Sequence, residues 1–235
     1  MMRSKLMLSI APCAALGSPV RAQYDERPYE HPTDRFVHAG VFVRDFEPRD
    51  SNTAPDSFRI AYRRLMPAIG FRQGLVDVTF GYTRFSLRGQ SKAAIVAAVT
   101  VGSEFPLLFS RPHALLVRFT VSSDYTRSDN TGSDKEAFNV GSAGMGVGLR
   151  YRAVGRELEC SLSVVEAIHL SFEAFSTGTG FSATTLGEAL VLLRTIPIVD
   201  GIAFGYRIRY QTWNMSNAAF DYRSLSLGAF LGFLF

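Results

Sequence analysis

The sequence of 235 residues lacks an apolar run long enough to form a transmembrane helix. Such a helix needs about 18 or more consecutive apolar residues, and the longest candidate, Ala93 to Gly102, is too short. The hydrophobic residues, 47% of the chain, are instead spread over many short segments. This distribution argues against a helical membrane protein and is typical of strands that are apolar on one face only.

Residues 1–22 contain no acidic residue, and they have the pattern of a secretory signal peptide. Arg3 and Lys5 form a basic beginning, and residues 6–16 form a short apolar core. Ala22 is a small residue at the position expected for cleavage. We therefore predict that residues 1–22 are a signal peptide.

Cysteine is nearly absent, since Cys13 and Cys160 are the only two. Removal of the signal peptide leaves Cys160 alone, so the mature chain cannot form an intramolecular disulfide. The polar, proline-containing residues 23–35 are predicted to be a periplasmic lead-in. Residues 36–235 are predicted to form the folded domain.

Motifs for binding metal, phosphate or nucleic acid are also missing. The formal net charge of +4 is dispersed along the chain, and no basic cluster with interleaved aromatic residues suggests a nucleic-acid partner. The glycines of Gly141 to Gly148 recur at strand spacing and lack the Lys-Ser/Thr ending of a phosphate-binding loop. We expect neither a metal nor another cofactor.

The dominant pattern that is present is an alternation of apolar and polar residues with a period of two, which predicts β-strands. The alternation is clearest in residues 138–152 and 222–235. Turn-forming and loop-forming residues divide residues 36–235 into ten such segments. Eight strands remain an alternative if residues 36–72, which contain Pro67, do not form two regular strands.

The last residues of the chain suggest the setting of these strands. Phe235, Phe233 and Leu231 are apolar at alternate positions up to a terminal phenylalanine, which resembles the C-terminal signal of Gram-negative outer-membrane β-barrels. The resemblance implies that the barrel assembly machinery reads this signal. It also implies that outer-membrane lipid and lipopolysaccharide surround the mature protein.

We therefore predict an all-β fold, namely a transmembrane antiparallel up-and-down β-barrel of eight to ten strands, with ten favoured. A monomer located in the outer membrane is expected. The alternative is a soluble β-sandwich, because alternation alone does not say which face is the interior.

Charged residues fall on the face opposite the apolar rows. In a barrel this face lines the lumen, where arginine would pair with glutamate and aspartate. The residues predicted for this charge network are Arg118, Arg150, Arg152, Glu159, Arg207 and Arg209. Aromatic residues at strand ends, including Trp213 and Tyr222, are predicted to lie in the interfacial bands of a membrane protein.

One predicted strand carries residues in a catalytic pattern. His169, Ser171 and Glu173 alternate along its lumen face, and a histidine can activate a serine while a carboxylate orients the histidine. The His-x-Ser pattern is similar to the motif of outer-membrane lipid A deacylases. By that resemblance Ser171 would be the nucleophile and His169 the base. The alternative is a hydrogen-bonded polar trio without catalysis.

Three functions follow from these patterns. The favoured one is a structural or surface-interaction barrel with a side-chain-filled lumen, whose loops Glu47–Ser57 and Arg127–Ala137 contact partners. The second is a lipid A-directed acyl hydrolase that uses His169 and Ser171. The third is a narrow anion-favouring channel, lined by Arg118, Arg150, Arg207 and Arg209.

Overall fold

The computed structural model describes residues 35–110, 112–130, 137–174, 178–196 and 199–235. The predicted signal peptide and residues 23–34 of the lead-in lie outside these ranges. The strands in the described residues are β1 (Arg35–Pro48), β2 (Tyr62–Gln73), β3 (Val76–Leu87), β4 (Gln90–Ser110), β5 (His113–Ser128), β6 (Phe138–Val154), β7 (Leu158–Glu173), β8 (Thr179–Ile196), β9 (Val199–Met215) and β10 (Tyr222–Leu234).

The ten described strands form one closed barrel in which each strand pairs with its sequence neighbours. β1 and β10 close the ring and pair antiparallel from Phe36↔Leu234 to Pro48↔Tyr222. The predicted all-β, antiparallel up-and-down barrel is therefore confirmed, with the favoured ten strands.

The two ends of the barrel differ in their connections. One end holds Arg35 and Phe235, and we call it the termini end. The opposite end, the loop end, holds the β1–β2 connection (residues 49–61) and the β9–β10 connection (residues 216–221). The second of these contains a short 3₁₀ helix, Ala218–Phe220.

Successive residues of each strand face opposite sides of the barrel wall. On β7, for example, Ile168 is 69% exposed while its neighbour His169 is 1% exposed, as the period of two requires. The outer wall is apolar on every strand; its exposed side chains include Val41, Leu65, Phe80, Val101, Phe119, Met145, Leu162, Phe181, Phe204 and Leu231. Most charged residues of the strands face the lumen and are largely buried there, so the usual polarity of a soluble protein is inverted.

The outer wall contains an exposed carboxylate at mid-height. Glu166 lies between the apolar Val164 and Ile168 on the outer face of β7, and its register partners are Val147 of β6 and Thr185 of β8. The Thr185 hydroxyl donates a hydrogen bond of 2.8 Å to Glu166 Oε2. One carboxylate oxygen is thus satisfied within the wall itself.

Pro67 lies inside β2 without ending the strand. β2 begins at Tyr62, and Pro67 pairs with Val41 in a continuous register with β1. The sequence predicts an irregular segment here because proline interrupts a ladder. The irregularity is present, but it affects only the edge of β2 that faces β3.

On that other edge, β2 pairs with β3 only through Ala68–Gln73. Among the described residues, 62–67 have no ladder partner in β3, and Pro67 has no N–H to donate. A side chain replaces the ladder there, because Thr83 Oγ1 donates a hydrogen bond of 2.7 Å to Leu65 O. We call this shortened pairing the β2–β3 seam.

Strand β4 is longer than the sequence predicts. A connection is expected to start at Pro106, but β4 continues to Ser110, which pairs with His113. The register between β4 and β5 shifts between Pro106 and Leu108. A bulge at this point accommodates a residue that cannot donate a ladder hydrogen bond.

None of the helices in the described part of the chain has the length and hydropathy needed to cross a membrane.

Candidate functional site

The loop end of the lumen is filled by aromatic side chains. Six strands contribute to this cluster, which we call the aromatic plug: Phe46, Tyr62, Phe85, Phe138, Trp213 and Tyr222, all buried. The ring centroid of Phe46 lies 4.8 Å from that of Tyr222 and 5.1 Å from that of Phe138. These separations are typical of favourable ring pairs, so the plug is a packed core within the lumen.

Two residues of the plug are expected elsewhere from the sequence. Trp213 and Tyr222 are predicted for the outer interfacial band, but they are 0% and 2% exposed inside the lumen. That prediction is wrong because it relied on the position of each residue at a strand end and ignored the alternation of faces along the strand. Trp213 shares its face of β9 with Arg207 and Arg209, which already marks it as a lumen residue.

The connections at the loop end are bonded to one another. Asn52 Nδ2 donates hydrogen bonds to Ala219 O at 2.8 Å and Asp221 O at 3.0 Å. Ser51 Oγ donates to Asp221 Oδ2 at 2.6 Å, and Ile60 packs into the plug below. The β1–β2 and β9–β10 connections therefore form one platform, anchored to the aromatic plug.

Towards the termini end, the lumen is crossed by a buried ion network centred on Glu188. Arg72 donates two hydrogen bonds of 2.7 Å, one to each oxygen of Glu188. Arg207 Nη2 lies 2.7 Å from Glu188 Oε2 and 2.9 Å from Asp77 Oδ2. Two guanidinium groups thus share two carboxylates, and paired charges of this kind are the form in which ions tolerate burial. We call these four residues the Glu188 network.

A second buried network lies nearer the strand ends at the termini end. We call it the Glu159 network; its members are Glu104, Arg118, Arg150, Arg152, Glu159 and Arg194. Arg150 joins its two carboxylates, with Nη1 at 3.1 Å from Glu104 Oε1 and Nη2 at 3.9 Å from Glu159 Oε1. The lumen is therefore occupied by charged side chains over the termini half.

All six residues predicted for the lumen charge network lie inside the barrel. Arg207 belongs to the Glu188 network, and Arg209 pairs separately with Asp124 at 2.9 Å; the other four belong to the Glu159 network. Sequence reasoning left out most of their partners, namely Arg72, Asp77, Glu104, Asp124 and Glu188. Their position on the polar face of each strand could have identified them, but not the partner that each one contacts across the lumen.

His169, Ser171 and Glu173 all face the lumen and are buried. The hydrogen bonds of the first two lead to different residues, since His169 Nε2 lies 2.8 Å from Ser122 Oγ and Ser171 Oγ lies 3.0 Å from Ser142 Oγ. The structure therefore pairs the histidine with a serine of β5 rather than with the serine two positions along its own strand. A serine within hydrogen-bonding distance of a histidine is the arrangement that can activate a hydroxyl group.

Between the aromatic plug and the Glu188 network lies a cavity of about 120 Å³. His169 and Ser122 line it, together with Asp124, Arg44 and Arg209. Five arginines and three carboxylates contribute to its wall, so its lining carries an excess of positive charge. This cavity is the candidate binding space of the described lumen.

Among the residues that the structure describes, no group of three or more His, Cys, Asp or Glu side chains is placed to hold a metal ion.

Comparison with known proteins assigns this chain to no family. No protein-family model matches the sequence, and no curated protein matches it. Neisserial surface protein A aligns with 86% of this chain and 97% of its own length, at 15% identity and a TM-score of 0.33. The outer membrane protease OmpT from Escherichia coli covers 89% of this chain and 99% of its own length, at 8% identity and a TM-score of 0.35.

The attachment invasion locus protein Ail of Yersinia pestis is also similar, with 86% of this chain and 98% of that chain aligned at 10% identity and a TM-score of 0.25. These values are too low for the role of any residue, or any activity, to be transferred from those proteins to this chain.

Proposed function

We propose that this chain is an integral outer-membrane β-barrel with a closed lumen, which acts through contacts made at its loop end. The observation that carries the proposal is the aromatic plug. A barrel that passes solutes needs an open path, and here Phe46 and its neighbours occupy the mouth. A packed mouth leaves the surface at the loop end as the part of the molecule available to a partner.

The apolar outer wall supports a membrane location. Met145 is 74% exposed and Leu65 is 63% exposed, on opposite regions of a wall that is apolar on every described strand. Soluble monomers rarely expose a contiguous apolar surface of this extent. In a bilayer the same wall faces lipid, and the closed ring satisfies the backbone hydrogen bonds of the strands except along the β2–β3 seam.

The bonded connections support a role in surface contact. Asn52 and Asp221 fix two loops against each other, so the platform is ordered before any partner arrives. Preorganised loops lose less conformational freedom on binding than mobile ones.

The membrane location and the closed lumen are tested together. We expect the protein to fractionate with the outer membrane and to migrate differently on a detergent gel before and after boiling. Reconstituted into a planar bilayer, the same protein should give a flat current trace at moderate voltage. Recovery as a soluble periplasmic protein without a gel shift would overturn the location, whereas steady conductance would overturn the closed lumen.

A second candidate function is the lipid A-directed hydrolase, and the hydrogen bond between Ser122 and His169 is the observation that favours it. The aromatic plug counts against this candidate because it separates the pair from bulky acylated substrates. The favoured function therefore predicts that lipid A acylation is unchanged in a Ser122→Ala strain. Mass spectrometry of lipid A is the measurement. Loss of a deacylated species in Ser122→Ala, but not in a matched Ser171→Ala strain, would establish the hydrolase with Ser122 as its nucleophile.

A further inference from the structure

Arg44 differs from the other buried arginines of the lumen in its surroundings. It is 3% exposed, and its Nε and Nη2 atoms have no hydrogen-bond partner among the described residues. Its guanidinium carbon lies 5.6 Å from the ring centroid of Phe46. Arg72 and Arg207, by contrast, each contact two carboxylates.

The register places a second arginine beside Arg44. Ser226 of β10 pairs with Arg44 of β1 on one side and with Arg209 of β9 on the other. Neighbouring strands are about 4.8 Å apart, so two arginines flank one serine along a row of the inner wall. Arg209 already contacts Asp124, but its Nε atom remains without a partner.

The 120 Å³ cavity is lined by Arg44, Asp124, Arg209 and Ser226. Three further buried polar atoms on that lining also lack hydrogen-bond partners, namely Arg118 Nε, Thr184 Oγ1 and His169 Nδ1. Of the unpartnered atoms on this lining, the arginine nitrogens can only donate, so the cavity wall has guanidinium N–H groups that no described side-chain acceptor around it satisfies. Asp124 is the carboxylate in this part of the wall, and it is engaged by Arg209 and by Gln211.

We propose that this cavity is a binding site for a small oxyanion, a phosphate or carboxylate group, held between Arg44 and Arg209 beside Ser226. A buried guanidinium without a carboxylate in contact is costly, and a planar guanidinium matches the oxygens of phosphate and carboxylate. The unpartnered nitrogens of Arg44 are the donors that the anion satisfies. The site does not depend on the loop-end role proposed above.

The anionic group has two possible sources, dissolved phosphate and a lipid headgroup. The cavity wall includes Met66, Ala68 and Gly81. These residues lie at the β2–β3 seam, where the ladder between the two strands stops, and this position makes a lipid headgroup a possible source. A headgroup could enter from the bilayer side at this seam, whereas a dissolved ion needs no acyl chain and no seam. The same arginines would hold either one.

The test uses the purified full-length barrel in a non-ionic detergent. Inorganic phosphate is titrated at constant ionic strength, with chloride as the reference, by calorimetry and by thermal unfolding. We expect saturable binding and a rise in the unfolding temperature of the wild type, as binding to the folded state requires. Absence of phosphate binding to the wild type, together with absence of lipid binding in the arm described below, would overturn the proposal.

Two variants locate the site. Arg44→Met should weaken phosphate binding at least tenfold. Ser226→Asp should do the same while preserving the fold, because the new carboxylate lies between the two arginines and takes the place of the anion. Arg84→Met, which removes an exposed arginine from the outer face of β3, is the matched control and should bind like the wild type. Unchanged binding in both lumen variants would place the anion elsewhere and refute the site.

A parallel arm distinguishes the two sources. Short-chain phosphatidic acid replaces inorganic phosphate in the same detergent, and an uncharged diacylglycerol serves as its control. Tighter binding of the phosphatidic acid, lost in Arg44→Met, supports the site with a lipid headgroup as its source. Binding of inorganic phosphate alone supports the site with a dissolved ion as its source.

Discussion

Replacing Glu188 with glutamine should lower the free energy of unfolding by about 3–5 kcal/mol, the range found when one partner of a buried ion pair is removed. Glu188 accepts hydrogen bonds from Arg72 and Arg207, both at 2.7 Å. The substitution leaves these guanidinium groups to share Asp77 inside the lumen. Denaturant titration in detergent, followed by the fraction of the heat-resistant folded form, measures the change.

The matched control for this substitution is Glu47→Gln. Glu47 also pairs with an arginine, Arg223, at 2.7 Å, but both side chains are close to half exposed. Exposed pairs contribute little to stability, so the unfolding midpoint should hardly move. Equal effects of the two substitutions would mean that the Glu188 network is hydrated and does not brace the lumen.

Truncating Phe46 to alanine should cost about 3–5 kcal/mol of stability, as large-to-small substitutions of buried aromatic residues do. Phe46 is 0% exposed and contacts four other rings of the plug. Its removal leaves a void in the mouth of the lumen, but the Glu188 and Glu159 networks still occupy the termini half, so the variant should remain as silent in a planar bilayer as the wild type. Chemical denaturation and single-channel recording are the two measurements.

Phe204→Ala is the control because it removes the same side chain from the outer wall, where Phe204 is 48% exposed. It should change neither conductance nor stability to a comparable degree. A Phe46→Ala barrel that is as stable as wild type would show that the remaining rings fill the mouth without it, and steady current through the variant would show that the plug, rather than the ion networks, closes the lumen.

Much of the architecture was predictable because a strand has a rigid period of two. The alternation in residues 138–152 and 222–235 indicates which side chains share a face, and a closed ring with a bilayer outside needs no more information than that. Errors arose where a rule about strand ends was applied instead of the two-residue alternation of faces, as with Trp213. Pro106 misled for the same kind of reason, since a bulge lets a strand continue past a proline.

The candidate site was less predictable because its contacts span the lumen. Arg72 and Glu188 meet although they are far apart in sequence and on strands that do not pair. The partner that a lumen residue contacts depends on the tilt and stagger of all the strands, which no short pattern encodes. His169 illustrates the point, because its partner Ser122 comes from β5 while the sequence pointed to Ser171.

Glu166 makes one side of the outer wall chemically different from the rest. A cylinder coated evenly with apolar side chains would present the same surface to a neighbouring molecule from every side. A carboxylate at mid-height makes one side costlier than the rest to hold against acyl chains, even with Thr185 bonded to one of its oxygens. In the membrane location proposed above, the side of the barrel that carries Glu166 therefore presents a different surface to a neighbouring molecule from the other sides.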